Sequence, residues 1–311
     1  MQTRTLGSTG LRVPIVSLGG SPLGGVFAPV EQSEAIRAVH AAIGCGMNFI
    51  DTSPFYALTR AETVLGLALR GVPRDHYLLA TKIGRYGQNE FDFSAARTRA
   101  SLEESLARLG VDYVDVLHCH DIEFGSIDQV VDETIPTLRQ LQLAGKVRFI
   151  GVTGLPLRIF ERVLARTTVD VILSYCRYNL NDTSLLRVLP LAESANAGVI
   201  HAAPFGMGLL TQNGPPAWHP APHALREACR RAAEWCQSQG LDLARIALQF
   251  SAANPRIHTV VAGASSVAEV EANAAAVEQP LDEQVVKSLQ EILAPVRDMT
   301  WPSGRPENQD A

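Results

Sequence analysis

The 311-residue chain carries 27 Lys and Arg against 32 Asp and Glu, a formal net charge of −5, with 46% hydrophobic and 19% charged residues. Such a balance suits a globular protein with a substantial core and argues against a broad nucleic-acid surface, because no Lys/Arg cluster stands out. No run approaches the roughly 18 apolar residues of a membrane span, so no membrane partner is expected.

Along the chain, residues 1–7 lack the apolar stretch of a signal peptide. The five cysteines (Cys45, Cys119, Cys176, Cys229, Cys236) are scattered without metal-type pairing. The expectation is a reduced, cytoplasmic protein, a monomer or small homo-oligomer. Residues 4–6 and 11–13 around Gly7-Ser8-Thr9-Gly10 read as a β-hairpin. Eight nearly continuous apolar runs follow, at 15–18, 49–51, 77–82, 113–118, 147–152, 169–174, 199–202 and 259–262. Runs of that kind belong to parallel strands covered on both faces. Helical patterns lie between them, as at 31–43, 61–69 and 94–109, where Ser94 can cap the start and Gly110 the end. Pro136 falls inside the pattern 127–143, so that helix starts there or kinks. Cys229 and Cys236 share one helix with Trp235 and read as core packing. The whole of 1–311 is expected to form a single (β/α)8 barrel, an α/β fold with the hairpin closing the barrel floor. Residues 206–222 and 301–311 read as loops over its mouth.

Polar residues stand where the apolar runs stop: Asp51, then Tyr56 five residues on, Lys82, and His118-Cys119-His120-Asp121. A barrel of parallel strands puts its reactive groups at those ends. An acid, a phenol, an amine and an imidazole make a general acid/base set. The amine can lower the phenol's pKa from its usual value of about 10, and the acid can keep the amine charged. Lys82 ends an apolar strand, and a buried lysine needs a partner, for which Asp51 is placed. His-x-His at 118 and 120 also has metal-ligand spacing, but no second histidine ends another strand, so no metal is expected.

These residues resemble the Asp, Tyr, Lys and His tetrad of the aldo-keto reductase superfamily, and the resemblance extends from Arg4 to about Asn273. It implies a nicotinamide dinucleotide as cofactor, and Asp115 as the strand acid five residues before the catalytic His120. His118 then lies one layer deeper as a hydrogen-bonded core residue. The fifth strand resembles the family's carboxamide-binding strand, with Thr153 and Gly154 in place of Ser-Asn. Tyr175 replaces a Gln, and Ala202 a stacking aromatic. Residues 260–275 read as strand, Gly turn and helix start, a phosphate-compatible N-terminus. Gly263 and Glu269 stand where NADP-binding relatives place Lys and Arg, so NAD is expected over NADP. The implied cofactor contacts are Ser21, Asp51, Thr153, Tyr175, Pro204, Gly206, Gly263, Ser265, Glu269 and Asn273.

The stretches 118–126 and 174–182 resemble the L-galactose dehydrogenases and related aldose 1-dehydrogenases acting on L-fucose or D-threo-aldoses. That likeness implies oxidation of the C1 hydroxyl of a cyclic aldose to a lactone. Arg85, Asp121 and Glu123, just beyond strand ends, are candidates for the sugar hydroxyls. Trp218 packs the long loop or offers a platform to a sugar face. Alternatives are another aldehyde such as pyridoxal, or a non-catalytic regulatory subunit on the same fold.

Overall fold

The structure, a computed structural model, describes residues 1–310. Strands β1 (Thr3–Thr5) and β2 (Arg12–Pro14) pair antiparallel as the hairpin. Eight parallel strands follow: β3 (Val16–Gly19), β4 (Phe49–Asp51), β5 (Leu78–Ile83), β6 (Val114–Cys119), β7 (Val147–Gly154), β8 (Val171–Tyr175), β9 (Gly198–Ala202) and β10 (Thr259–Gly263). They close in the order β10-β3-β4-β5-β6-β7-β8-β9. This is a (β/α)8 barrel with an N-terminal hairpin, and every expected strand has its counterpart.

The helices are α1 (Gln32–Gly44), α2 (Arg60–Leu69), α3 (Ala95–Leu109), α4 (Ile127–Gln129), α5 (Ile135–Leu143), α6 (Arg158–Leu164), α7 (Leu189–Ser194), α8 (His223–Ser238), α9 (Leu243–Ala253), α10 (Val267–Ala276) and α11 (Glu283–Leu293). Ser94 caps α3 by accepting from Arg97 N–H, and Gly110 ends it in a left-handed conformation, as its sequence suggests. Pro136 is the second residue of α5, so a helix does start there as expected, although the chain ahead of it is already helical. A π-helical segment, Val130–Thr134, joins α4 to α5 directly ahead of it. Proline lacks an N–H and crowds the carbonyl four residues back, and a wider turn relieves both. The same turn carries Glu133, whose Oε1 accepts from Ala95 N–H at 2.7 Å, and Thr134, whose hydroxyl donates to Phe93 O at 2.6 Å.

Alternate strand residues point inward, where Leu6, Leu11 and Val13 of the hairpin meet Phe49, Ala80, Val116 and Val171. These side chains fill the lower barrel and leave its upper layers to polar groups. Outward residues such as Leu79, Leu117 and Ile150 join the helices in the main core. Asp115 is buried on that side and pins three strands. It accepts from Leu79 N–H at 2.8 Å, from Arg74 at 2.6 Å and from Arg148 at 2.6 Å.

Candidate active site

Strand register decides which residues meet. Asp51 on β4 is opposite Ala80 on β5, with Lys82 two residues further and on the same inward face. Lys82 is opposite His118, and His120 lies two residues beyond that, just past β6. Asp51, Lys82 and His120 therefore converge at the C-terminal rim, all three buried. The turn after β4 adds Tyr56, whose N–H donates to Ser53 O at 3.1 Å. Ala57, Leu58 and Thr59 then take φ of 51°, 50° and 73°. Three successive left-handed non-glycine residues are costly, and such strain concentrates at functional turns. Asp121, directly after His120, is left-handed as well, with φ of 49°.

The Lys82 ammonium makes an ion pair with Asp51 Oδ1 and donates to Thr52 O at 2.8 Å. It sits 4.7 Å from the centroid of the Tyr56 ring. His120 meets Tyr56 edge to face at 5.6 Å and Phe55 at 5.8 Å. Its Nδ1 lies 3.0 Å from Ser53 Oγ, and its Nε2 is 3.7 Å from Asp121 Oδ2. Arg85 pairs with Asp121 and stacks over Phe55, with its guanidinium carbon 3.8 Å from the ring centroid.

Burial alone would strip the charge from Lys82, but Asp51 and Tyr56 outweigh it and raise its pKa above the ordinary value. The amine is charged at neutral pH. The expected depression of the phenol does not hold in the free protein. Burial raises the Tyr56 pKa above 10.0, and Lys82 recovers only part of that shift. Burial also takes His120 down to about 3, with Asp121 opposing and Lys82 and Arg85 assisting. The imidazole is neutral.

Thr153 keeps its hydroxyl but spends it on the neighbouring loop, accepting from Asp121 N–H at 2.9 Å. Glu123 is fully buried, so it does not open to solvent as a sugar ligand would. Its Oε1 accepts from Leu155 N–H at 3.1 Å, from Ser303 Oγ at 2.9 Å and from Tyr175 at 3.5 Å. A Cβ at position 154 would stand 2.4 Å from Glu123 Oε2, so this carboxyl fills the space that a side chain there would need. Burial, reinforced by Asp121, lifts the Glu123 pKa to about 8. His118 is buried, but neither ring nitrogen finds a hydrogen-bond partner among the described residues. Its Nδ1 leans to where a Cβ at position 151 would be, 2.4 Å away, which requires Gly151.

Across the same C-terminal rim, Ser21 belongs to the turn after β3, whose Pro22 would lie 2.9 Å from a Cβ at Gly263. Pro204 and Gly206 follow β9, and Ser265, Glu269 and Asn273 gather at α10. The exposed Glu269 accepts from Ser265 N–H at 2.7 Å, while Ser266 caps the helix by accepting from Glu269 N–H at 3.2 Å. The pair differs from a capping box in that the glutamate bonds the N–H one residue before the cap instead of the cap's own. Trp218 is half-exposed and packs on Phe27 at 5.7 Å, tying the loop after β9 to the one after β3.

Sequence reasoning missed Ser53, Glu34 and the tail residues Ser303, Asn308 and Asp310. Glu34 on α1 accepts from Val267 N–H at 3.1 Å and pairs with Arg37. That bond and Arg37 hold its pKa below the ordinary carboxylate value. Asn308 donates to Glu123 O at 2.8 Å, and Asp310 pairs with Arg177 at 2.9 Å. Apart from the i,i+3 pair of Glu34 with Arg37, the contacts of Glu34 and of the tail residues are long-range and carry no local sequence signal. Ser53 alone was accessible, through its place between Asp51 and Tyr56.

Residues 16–294 match the Aldo/keto reductase family, and the chain belongs to this family of oxidoreductases. Its relatives include the L-galactose dehydrogenase of Arabidopsis thaliana, 52% identical over 317 residues and 99% of each chain. The D-threo-aldose 1-dehydrogenase of a Pseudomonas species is 29% identical over 304 residues, 88% of this chain and 92% of that one. Among solved structures, the holo form of an aldo-keto reductase from Bacillus halodurans superposes over 100% of both chains, with a TM-score of 0.81 and 27% identity.

Proposed function

We propose that the protein oxidises the C1 hydroxyl of a cyclic aldose of the L-galactose or L-fucose type to the aldonolactone, with NAD as cofactor. The observation that carries this reading is the convergence of Asp51, Tyr56, Lys82 and His120 at one barrel rim. The sugar class is supported by the 52% identity to a plant L-galactose dehydrogenase over nearly the whole of both chains.

NAD, when bound, accepts the hydride that leaves C1. Tyr56 takes the C1 hydroxyl proton at its phenolate oxygen. Lys82 stabilises that phenolate through its charge, and Asp51 holds the ammonium in place. Neutral His120 orients the substrate oxygen by hydrogen bonding and cannot compete as the acid. Arg85 and Asp121 border His120 and suit ring hydroxyls. The start of α10 favours NAD over NADP. Glu269 and Glu34 already occupy backbone N–H groups there, and carboxylates accept from ribose hydroxyls but repel a phosphate dianion. Arg37, beside Glu34 on α1, is paired with that carboxylate.

The test is NADH formation across a panel of aldoses, with NADP run in parallel. L-Galactose or L-fucose should lead and NAD should be preferred. Turnover only of non-sugar aldehydes would refute the sugar assignment.

A further inference from the structure

We propose that Ser53 is a positioning residue that locks His120 in the tautomer carrying its proton on Nε2, so that the imidazole meets the substrate oxygen as a neutral donor. The functional part of this inference rests on the role just given to His120. The tautomer itself rests on geometry alone.

Ser53 is fully buried, and its Oγ lies 3.0 Å from His120 Nδ1. The same oxygen accepts from Phe55 N–H at 3.1 Å. This side-chain-to-backbone bond two residues on is a serine turn, and it aims the hydroxyl before any ligand arrives. A hydroxyl has one hydrogen to give. Nδ1 of His120 is the one acceptor that hydrogen can reach among the described residues. Donation from Nδ1 to Oγ instead would strand the hydroxyl hydrogen in a buried site. So Nδ1 is the lone-pair nitrogen and Nε2 carries the proton. An independent observation agrees: Nε2 faces the Asp121 carboxylate at 3.7 Å, a neighbour that favours an N–H over a lone pair. The ring is also held in orientation, edge-on to Tyr56 and Phe55.

The turn that delivers Tyr56 thus also sets the proton on its histidine neighbour. Pro54 follows Ser53 and fixes the chain direction, and Thr52 N–H anchors the turn on Ala80 O at 2.9 Å.

Nitrogen-15 NMR of histidine-labelled, ligand-free protein tests the inference, with the His120 signals assigned by their loss in His120→Gln. The expected spectrum shows a protonated Nε2 and a bare Nδ1 for His120. Ser53→Ala should mix the tautomers and lower aldose turnover by about 10-fold or more, with dinucleotide affinity and melting temperature little changed. Ser53→Thr, which keeps the hydroxyl, should restore both tautomer and rate. A wild-type His120 protonated on Nδ1 overturns the proposal, as does Ser53→Ala with an unaltered tautomer and rate. Should Ser53→Ala fail to fold, the wild-type spectrum still decides. Absence of aldose oxidation alongside an Nε2-protonated His120 would refute the functional reading and leave the tautomer standing.

Discussion

At the residue scale, the proton-transfer step depends on the competition at Tyr56 between burial and the Lys82 charge. Burial dominates in the free protein, so the phenol holds its proton at neutral pH. Oxidation needs the phenolate, so kcat/KM should rise with pH on the alkaline side. Tyr56→Phe should abolish that limb and cut turnover by about 10²–10⁴-fold, the range for losing a positioned proton-transfer group. Lys82→Met removes the strongest influence lowering the phenol's pKa, and the companion loss of the Asp51 charge offsets only part of it. Its alkaline limb should therefore move to higher pH. A pH–rate profile of the three proteins checks this, and a Lys82→Met limb shifted to lower pH would contradict the assigned role. Lys82→Met should also unfold more readily, since breaking a buried ion pair costs about 3–5 kcal/mol.

At the element scale, two junctions tune the site. The first is the start of α10, where Glu34 reaches across from α1. Glu269→Arg should improve NADP use by adding a bidentate phosphate partner. Glu34→Gln should do so more weakly, by removing one negative charge and releasing Arg37. Initial rates with both cofactors decide, and unchanged preference in both variants would place the determinant elsewhere. The second junction is the C-terminal tail, fastened to the loop after β6 through Ser303, Arg305 and Asn308, all bonded to Glu123. Glu123 has a folded-state pKa of about 8, against 4.5 for an unperturbed group. Between those values the folded protein keeps a proton that the unfolded chain gives up, so stability falls as pH rises. The slope approaches about 1.4 kcal/mol per pH unit at most. Glu123→Gln should flatten that fall, gaining stability over wild type at pH 8 relative to pH 5. Melting temperatures at the two pH values supply the comparison.

At the scale of the molecule, the barrel divides its interior between stability and chemistry. Leu6 reaches from the hairpin into the floor and is fully buried, so close to β9 that a Cβ at Gly198 would stand 2.6 Å from it. Leu6→Ala should cost about 2–5 kcal/mol, the range for a buried leucine that leaves a cavity. Chemical denaturation measures that loss. Activity per folded molecule should stay near wild type, because the rim lies at the other end of the strands.

Much of this was legible in the chain itself. Eight apolar runs, their alternation with helical patterns and the polar residues at their ends sufficed for the barrel and for Asp51, Tyr56, Lys82 and His120 as its candidate centre. Periodicity and strand-end chemistry are local properties, and local properties survive in a linear string. The tertiary structure alone decided the balance of charge and contact. Burial sets the directions of the Tyr56 and His120 shifts, and burial is a property of the assembled core. The tail's hold on Glu123 and Glu34's hold on α10 join residues some 180 and 230 positions apart. Nor does spacing tell that Glu123 turns inward beneath the tail, or that His118 fills the space over Gly151 without a hydrogen bond. Such outcomes follow from which side chain reaches a shared space first, and only the packed barrel defines that space.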